Sequence, residues 1–187
     1  MENTENQKNG LRARMKAERA ALSPDEVTLK SAVICNRLSS VLRGKKFVMA
    51  YCALFNEVNV DSLMRVLISE GIGVAVPVTE KETSVITPSE ITSLSDIKRG
   101  AYGIREPINV SEVPLSEIDA VLVPGLAFDE GGMRMGFGKG CYDRFLENYK
   151  GLKIGVCYEF QLIDAVPFDK HDVPMDMIVT ESGTYAV

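Results

Sequence analysis

Short apolar runs alternate with stretches of helical spacing along most of this chain, and that alternation limits its possible folds more than any other feature. Phe47 to Cys52, Gly73 to Val78, Asp119 to Val123, Lys153 to Cys157 and Met177 to Thr180 each read as a short buried strand. Val60 to Glu70 and Tyr142 to Asn148 carry helical periodicity between them. Ahead of the first strand, Lys8 to Glu18 predicts a short basic helix with Leu11 and Met15 on one face, and Gly10 is placed to fray its first turn. Ser23-Pro24-Asp25-Glu26 supplies an N-cap serine, a proline at the first helical position and early acids, so a second helix should reach about Arg43. Strands separated in this way imply an α/β fold of three layers, a mainly parallel central sheet flanked by helices, with ligands bound beyond the C-terminal ends of the strands. The segments at those ends are Ala53 to Glu57, Pro124 to Gly140, and Tyr158 onward. Residues 80 to 118 are polar and hold Pro88, Pro107 and Pro114, so loops and edge structure are expected there.

Composition narrows the function classes. At 187 residues, 45% apolar and 25% charged, the chain suits a single domain spanning 1–187 that needs no metal or disulfide to build its core. A net charge of -5 argues against nonspecific nucleic-acid binding and leaves small molecules as the expected partners. Four cysteines without a CxxC pair and a single histidine, His171, give no zinc pattern and suit free thiols in a reducing compartment. The polar N-terminal segment has no apolar signal core, and no run of about 18 apolar residues is present. The expectation is a cytoplasmic monomer without membrane contact.

The densest chemical signal lies between Gly125 and Gly140, where six glycines surround Arg134 and Lys139. Glycine lets successive N–H groups converge on phosphate oxygens while the two cations add charge, so the stretch reads as an anion cradle leading into a helix. Lys139 is followed by glycine rather than Ser or Thr, and GxGxG is not GxGxxG, so neither a Walker loop nor a dinucleotide fingerprint is present. A flexible hairpin or loop is the competing reading of the glycines alone.

The flanking residues add a resemblance. Val123-Pro124-Gly125-Leu126-Ala127-Phe128-Asp129, followed by Gly132-Met133-Arg134-Met135-Gly136-Phe137-Gly138-Lys139-Gly140-Cys141-Tyr142-Asp143-Arg144, resembles the signature of the 5-formyltetrahydrofolate cyclo-ligases. Lys8 with Leu11 and Arg12, Glu57, Gly103-Ile104-Arg105-Glu106-Pro107, Val166-Pro167, and His171-Asp172 with Asp176 extend it along nearly the whole chain. Cys141 departs from the pattern, since an aromatic residue usually precedes the Tyr-Asp pair in that family.

The resemblance implies an enzyme that uses ATP and Mg2+ to convert 5-formyltetrahydrofolate, with or without a polyglutamate tail, to 5,10-methenyltetrahydrofolate. It implies ATP contacts at Lys8, Asn9, Gly10, Leu11, Arg12, Arg134, Met135, Gly136, Phe137, Gly138, Lys139, Gly140, Cys141 and Tyr142. Folate contacts would be Arg12, Cys52, Glu57, Phe137, Gly138, Lys139, Gly140 and Cys141, with Arg134 and Lys139 catalytic. Asp143 and Asp172 would hold Mg2+, with Asp129 and Asp176 in reserve. Without the resemblance, the same residues also suit a solvated basic helix face, a loop acid at Glu57 and a noncatalytic nucleotide- or phosphometabolite-binding module. Cys141 lacks a recognisable base partner and carries no nucleophile role.

Overall fold

The computed structural model describes residues 2–80, 82–99 and 105–187. Gly103 and Ile104, part of the mid-chain resemblance, lie outside them. Two helices precede the sheet, α1 (Glu2–Ala20) and α2 (Pro24–Val41). Good helix formers such as Glu5 and Gln7 precede the basic stretch, so α1 starts six residues before Lys8 and Gly10 sits inside it rather than fraying a first turn. Ser23 caps α2 in a reciprocal capping box with Glu26, as the sequence predicts.

Seven strands form the central sheet: β1 (Phe47–Met49), β2 (Gly73–Thr79), β3 (Ile86–Ile91), β6 (Ala120–Pro124), β9 (Leu152–Val156), β10 (Met177–Val179) and β11 (Thr184–Ala186). Their order is β11-β10-β9-β6-β1-β2-β3, parallel from β10 through β2 and antiparallel at both edges. The sheet is thus α/β and mainly parallel, as expected. Helix α3 (Asp61–Ser69) crosses between β1 and β2, and the short α4 (Cys141–Leu146) precedes β9. A small ribbon of β4 (Ile97–Arg99) and β5 (Arg105–Pro107) stands apart from the main sheet.

The period of two along the strands sorts their side chains between two apolar layers. Val48, Val74, Val76 and Leu122 pack with Ile34 and Leu38 of α2 and Leu63, Met64 and Leu67 of α3. Met49, Ala75, Val121 and Val123 face the other way, against Phe128, Phe145 and Leu146. Burial on both faces explains why the central strands read as unbroken apolar runs.

Residues 86–91 form a six-residue edge strand within the stretch where edge structure was expected, and its Pro88 lies opposite Pro77, tolerated because an edge position leaves one side of the ladder free. Two features differ from the sequence expectation. The C-terminal β11 was not foreseen. Inside the glycine-rich segment, β7 (Ala127–Phe128) pairs with β8 (Arg134–Met135) as an antiparallel hairpin, so Arg134 stands on a strand and not on a flexible turn. Met15 and Leu11 of α1 dock onto this hairpin through Leu126, Ala127, Met135 and Val166.

Candidate functional site

The strand order reverses between β1 and β6, and in open parallel sheets that reversal leaves a crevice beyond the strand ends. A cavity of about 540 Å³ lies there. Tyr51, Cys52, Leu54 and Glu57 reach it from the loop after β1, Pro77 and Thr79 from the end of β2, and Pro124 from the end of β6. The glycine-rich turn from Gly136 to Gly140 forms a further wall, Lys8 and Arg12 enter from α1, and Asp169 and Asp172 from the loop before β10.

The turn's geometry depends on glycine at particular places. A Cβ at Gly136 would lie 2.7 Å from Arg134 Nη1, and Gly138 has φ +101°, outside ordinary L-residue conformations. Arg12 spans to the turn, with Nε donating to the Gly136 carbonyl at 3.4 Å and Nη1 to Asn9 Oδ1 at 2.8 Å. Helix α4 is only six residues long, so the cations beside the turn supply more of its positive character than the helix end does.

The basic groups are matched with acids. Arg134 Nη2 donates to both oxygens of Asp143 at 2.9 and 3.0 Å, and the guanidinium lies 5.5 Å from the Tyr142 ring centroid. Arg134 Nε is buried without a hydrogen-bond partner. Lys8 Nζ bonds Asp169 at 2.5 Å and approaches Asp172 at 3.4 Å. Desolvation pulls Lys8 down, but the Asp169 hydrogen bond and the charges of Asp172 and Asp169 outweigh it and hold the amine above its ordinary value. Lys139 is exposed on the turn.

The opposite wall is drier. Glu57 is 6% exposed, accepting the Leu54 N–H on Oε2 at 2.9 Å and facing Arg19 Nη1 from Oε1 at 3.5 Å. Burial pushes its carboxyl above the ordinary value, against the opposing pull of Arg19 and the Leu54 N–H. Phe55 and Asn56 take φ +46° and +58°, and Asn56 Nδ2 donates to the carbonyls of Arg19 and Leu22, which anchors the loop to the end of α1. A non-glycine pair in the left-handed region marks local strain held by its surroundings. Burial likewise pushes the Cys52 thiol up to about 11, so it is wall and not nucleophile.

A cavity at the topological switch, a glycine-rich cationic turn on one side and a buried carboxylate on the other form a frame that comparison can place. The profile of the 5-formyltetrahydrofolate cyclo-ligase family matches residues 4–181. The chain belongs to that family. It is 39% identical over 96 residues to the 5-formyltetrahydrofolate cyclo-ligase of Escherichia coli K12, covering 49% of this chain and 53% of that protein. The chain thus aligns with about half the length of that relative. To the mouse 5-formyltetrahydrofolate cyclo-ligase it is 25% identical over 191 residues, covering 94% of each. Among solved structures, the Aquifex aeolicus 5,10-methenyltetrahydrofolate synthetase superposes with a TM-score of 0.84 at 35% identity, over 96% of this chain and 92% of that one.

Of the residues that the family resemblance singled out, Lys8, Arg12, Cys52, Glu57, Arg134 through Asp143, and Asp172 all line the one cavity. Asn9, Gly10 and Leu11 are not on its wall; Asn9 accepts from Arg12, and Leu11 packs beside Met15. The reserve acids Asp129 and Asp176 are structural instead. Asp129 accepts the N–H groups of Met133 and Val166 and so closes the hairpin onto the following loop, while Asp176 accepts from Lys153. Arg19 and Asp169 were missed, and Arg105, though part of the family match, was given no site role. Arg105 lines the cavity and is forked onto Asp61 at 2.8 and 3.0 Å. A basic residue just past the end of a predicted basic helix carries no sequence mark that separates a buried role such as that of Arg19 from a solvated one.

Proposed function

We propose that this chain catalyses the ATP- and Mg2+-dependent cyclisation of 5-formyltetrahydrofolate to 5,10-methenyltetrahydrofolate, releasing ADP and phosphate. The observation that carries this reading is the joining, in a single cavity, of a phosphate-type wall and a buried carboxylate wall. ATP phosphates suit the glycine turn, with Lys8, Arg12, Arg134 and Lys139 as counter-charges. The folate head suits the other wall, where Glu57 presents an acceptor for the amino and ring N–H groups of a pterin.

Asp143 and Asp172 fit a magnesium site by chemistry: both are hard oxygen donors on the cavity wall, each partnered by a cation that a phosphate would attract. An ion held there would be held partly by phosphate oxygens. Bound there, Mg2+ would neutralise charge on the transferring phosphoryl group. In the proposed sequence the formyl oxygen on N5 attacks the γ-phosphorus and ADP leaves. N10 then attacks the activated formyl carbon, and loss of phosphate and the N10 proton leaves the methenyl bridge. This chain's residues position the two substrates and hold their charge, and no covalent enzyme intermediate is needed.

The test mixes purified protein with 5-formyltetrahydrofolate and Mg-ATP and follows methenyltetrahydrofolate absorbance beside ADP, with ATP-free and EDTA controls. Equal amounts of the two products, each dependent on ATP and magnesium, are expected. Binding of both substrates without conversion of either would sink the enzymatic reading in favour of a binding module.

A further inference from the structure

Among the described residues Arg19 is the charged residue buried most deeply, 2% exposed, yet it is neither on the cavity wall nor among the residues expected to bind ligand. It meets three segments at once. Its own carbonyl, near the end of α1, accepts from Asn56, and Nη1 faces Glu57 at 3.5 Å. The same Nη1 approaches the Gly125 carbonyl at 3.5 Å, and the guanidinium lies 5.4 Å from the centroid of Phe137 on the glycine turn. Gln161 donates to the carbonyls of Gly125 and Leu126 at 3.0 and 2.9 Å, fixing that side of the junction.

A guanidinium is removed from water at considerable cost unless something is gained by its charge. What it faces is the one carboxylate of the dry wall. We infer that Arg19 is a positioning residue, which keeps Glu57 ionised and turned toward the cavity so that its carboxylate is ready to accept hydrogen bonds from the folate head. This rests on the folate reading of Glu57. The other ionisable groups around Glu57 are Tyr51 from the loop after β1, Tyr142 from α4 and Tyr158 after β9. Burial raises all three phenols, so they stay neutral at physiological pH and leave Arg19 as the cation that offsets the carboxylate. Phe137 closes the upper side of the guanidinium, an arrangement that keeps the charge dry while its ring face supports it.

The decisive measurement is ligand-free. Carbon-13 NMR of the Glu57 carboxyl in the wild-type protein should show it ionised at neutral pH, and in Arg19→Met its titration should move upward. Steady-state kinetics of the full chain then tests the consequence. Arg19→Met should raise KM for 5-formyltetrahydrofolate by on the order of 10- to 100-fold, the scale of one charged hydrogen bond, with KM for ATP nearly unchanged. Arg19→Lys, which keeps the charge without the fork, should recover part of that loss and also covers the case in which the methionine variant does not fold. A wild-type Glu57 that is protonated at neutral pH overturns the proposal, as does a rise of both KM values together. Glu57→Gln separates the two layers: if it leaves folate KM unchanged, the folate reading of Glu57 fails, whatever the ligand-free titration shows.

Discussion

The two walls of the cavity treat charge in opposite ways. On the glycine-rich side, the cations Arg134 and Lys8 are themselves buried, but each pairs with an acid that keeps more contact with water, Asp143, Asp172 and the largely solvated Asp169. On the other side, Glu57 and Arg19 are both almost completely enclosed. A pair with one partner in contact with water on the cavity wall can change partners when a phosphate or a cation arrives, because that side of its attraction is already screened. A buried pair cannot do so cheaply, and it holds its geometry instead. The first suits a ligand whose charge is large and shifting during reaction, the second a flat heterocycle that must be oriented by hydrogen bonds.

The largest effect expected from breaking this contrast is Arg134→Ala, which removes a phosphate cation and releases Asp143 together. Turnover should fall by about 10³-fold, the upper scale for deletion of one charge-stabilising donor. Because Arg134 is 5% exposed and forked onto Asp143, stability should fall as well. Asp143→Asn in the same background should restore part of the stability but none of the turnover, as read by urea midpoints beside initial rates. Full turnover in Arg134→Ala would remove that residue from the mechanism.

Lys139→Ala sharpens the same side by separating activity from folding. The lysine is exposed on the turn, so its loss should reduce turnover by about 10²-fold and leave the thermal midpoint in place. An equal loss of both would mean that Lys139 holds the turn rather than the ligand. Across the cavity, Glu57→Gln should raise folate KM by on the order of 30-fold and spare ATP KM, since one charged acceptor becomes a neutral amide. An unchanged folate KM would leave the dry wall without its assigned ligand.

The difference between the walls also explains what was legible in the sequence. The glycine turn announces itself because positive φ and close approach demand glycine at Gly136 and Gly138, and such demands leave a mark on residue choice. The sheet is equally plain, since strands buried on both faces become apolar runs. The Arg19 to Glu57 pair leaves no local mark: the two residues are joined only by the docking of α1 against the loop after β1, and arginine in a basic helix looks solvated until that docking is known. The hairpin of β7 and β8 is hidden for a different reason, because strands of two residues are too short to show a period. Asp129 shows the limit from the other direction, an acid beside the cradle whose two oxygens are spent on the N–H groups of Met133 and Val166.

The smallest effect is in stability against pH, and its sign differs between two carboxylates. Asp119 accepts the Lys46 N–H at 2.6 Å and the Phe47 N–H at 3.1 Å, and the Lys46 bond is the main cause that holds it below the ordinary carboxylate range. A depressed acid stabilises the fold above its unfolded value and loses that contribution as pH falls through the folded one. Glu57 is raised instead, chiefly by burial, so the folded state binds its proton more tightly than the unfolded chain does. Its favourable contribution is complete below the ordinary value of 4.5 and is lost as pH rises through the raised one. Glutamine stands in for the protonated form. Glu57→Gln should therefore gain stability relative to wild type at about pH 7 and nothing at about pH 4, while Asp119→Asn should lose stability at about pH 7, and progressively less as pH falls below about 4. Urea midpoints at these pH values read both. A Glu57→Gln loss of the same size at each pH would mean that the carboxylate costs the fold nothing, and that the dry wall is not as dry as its burial implies.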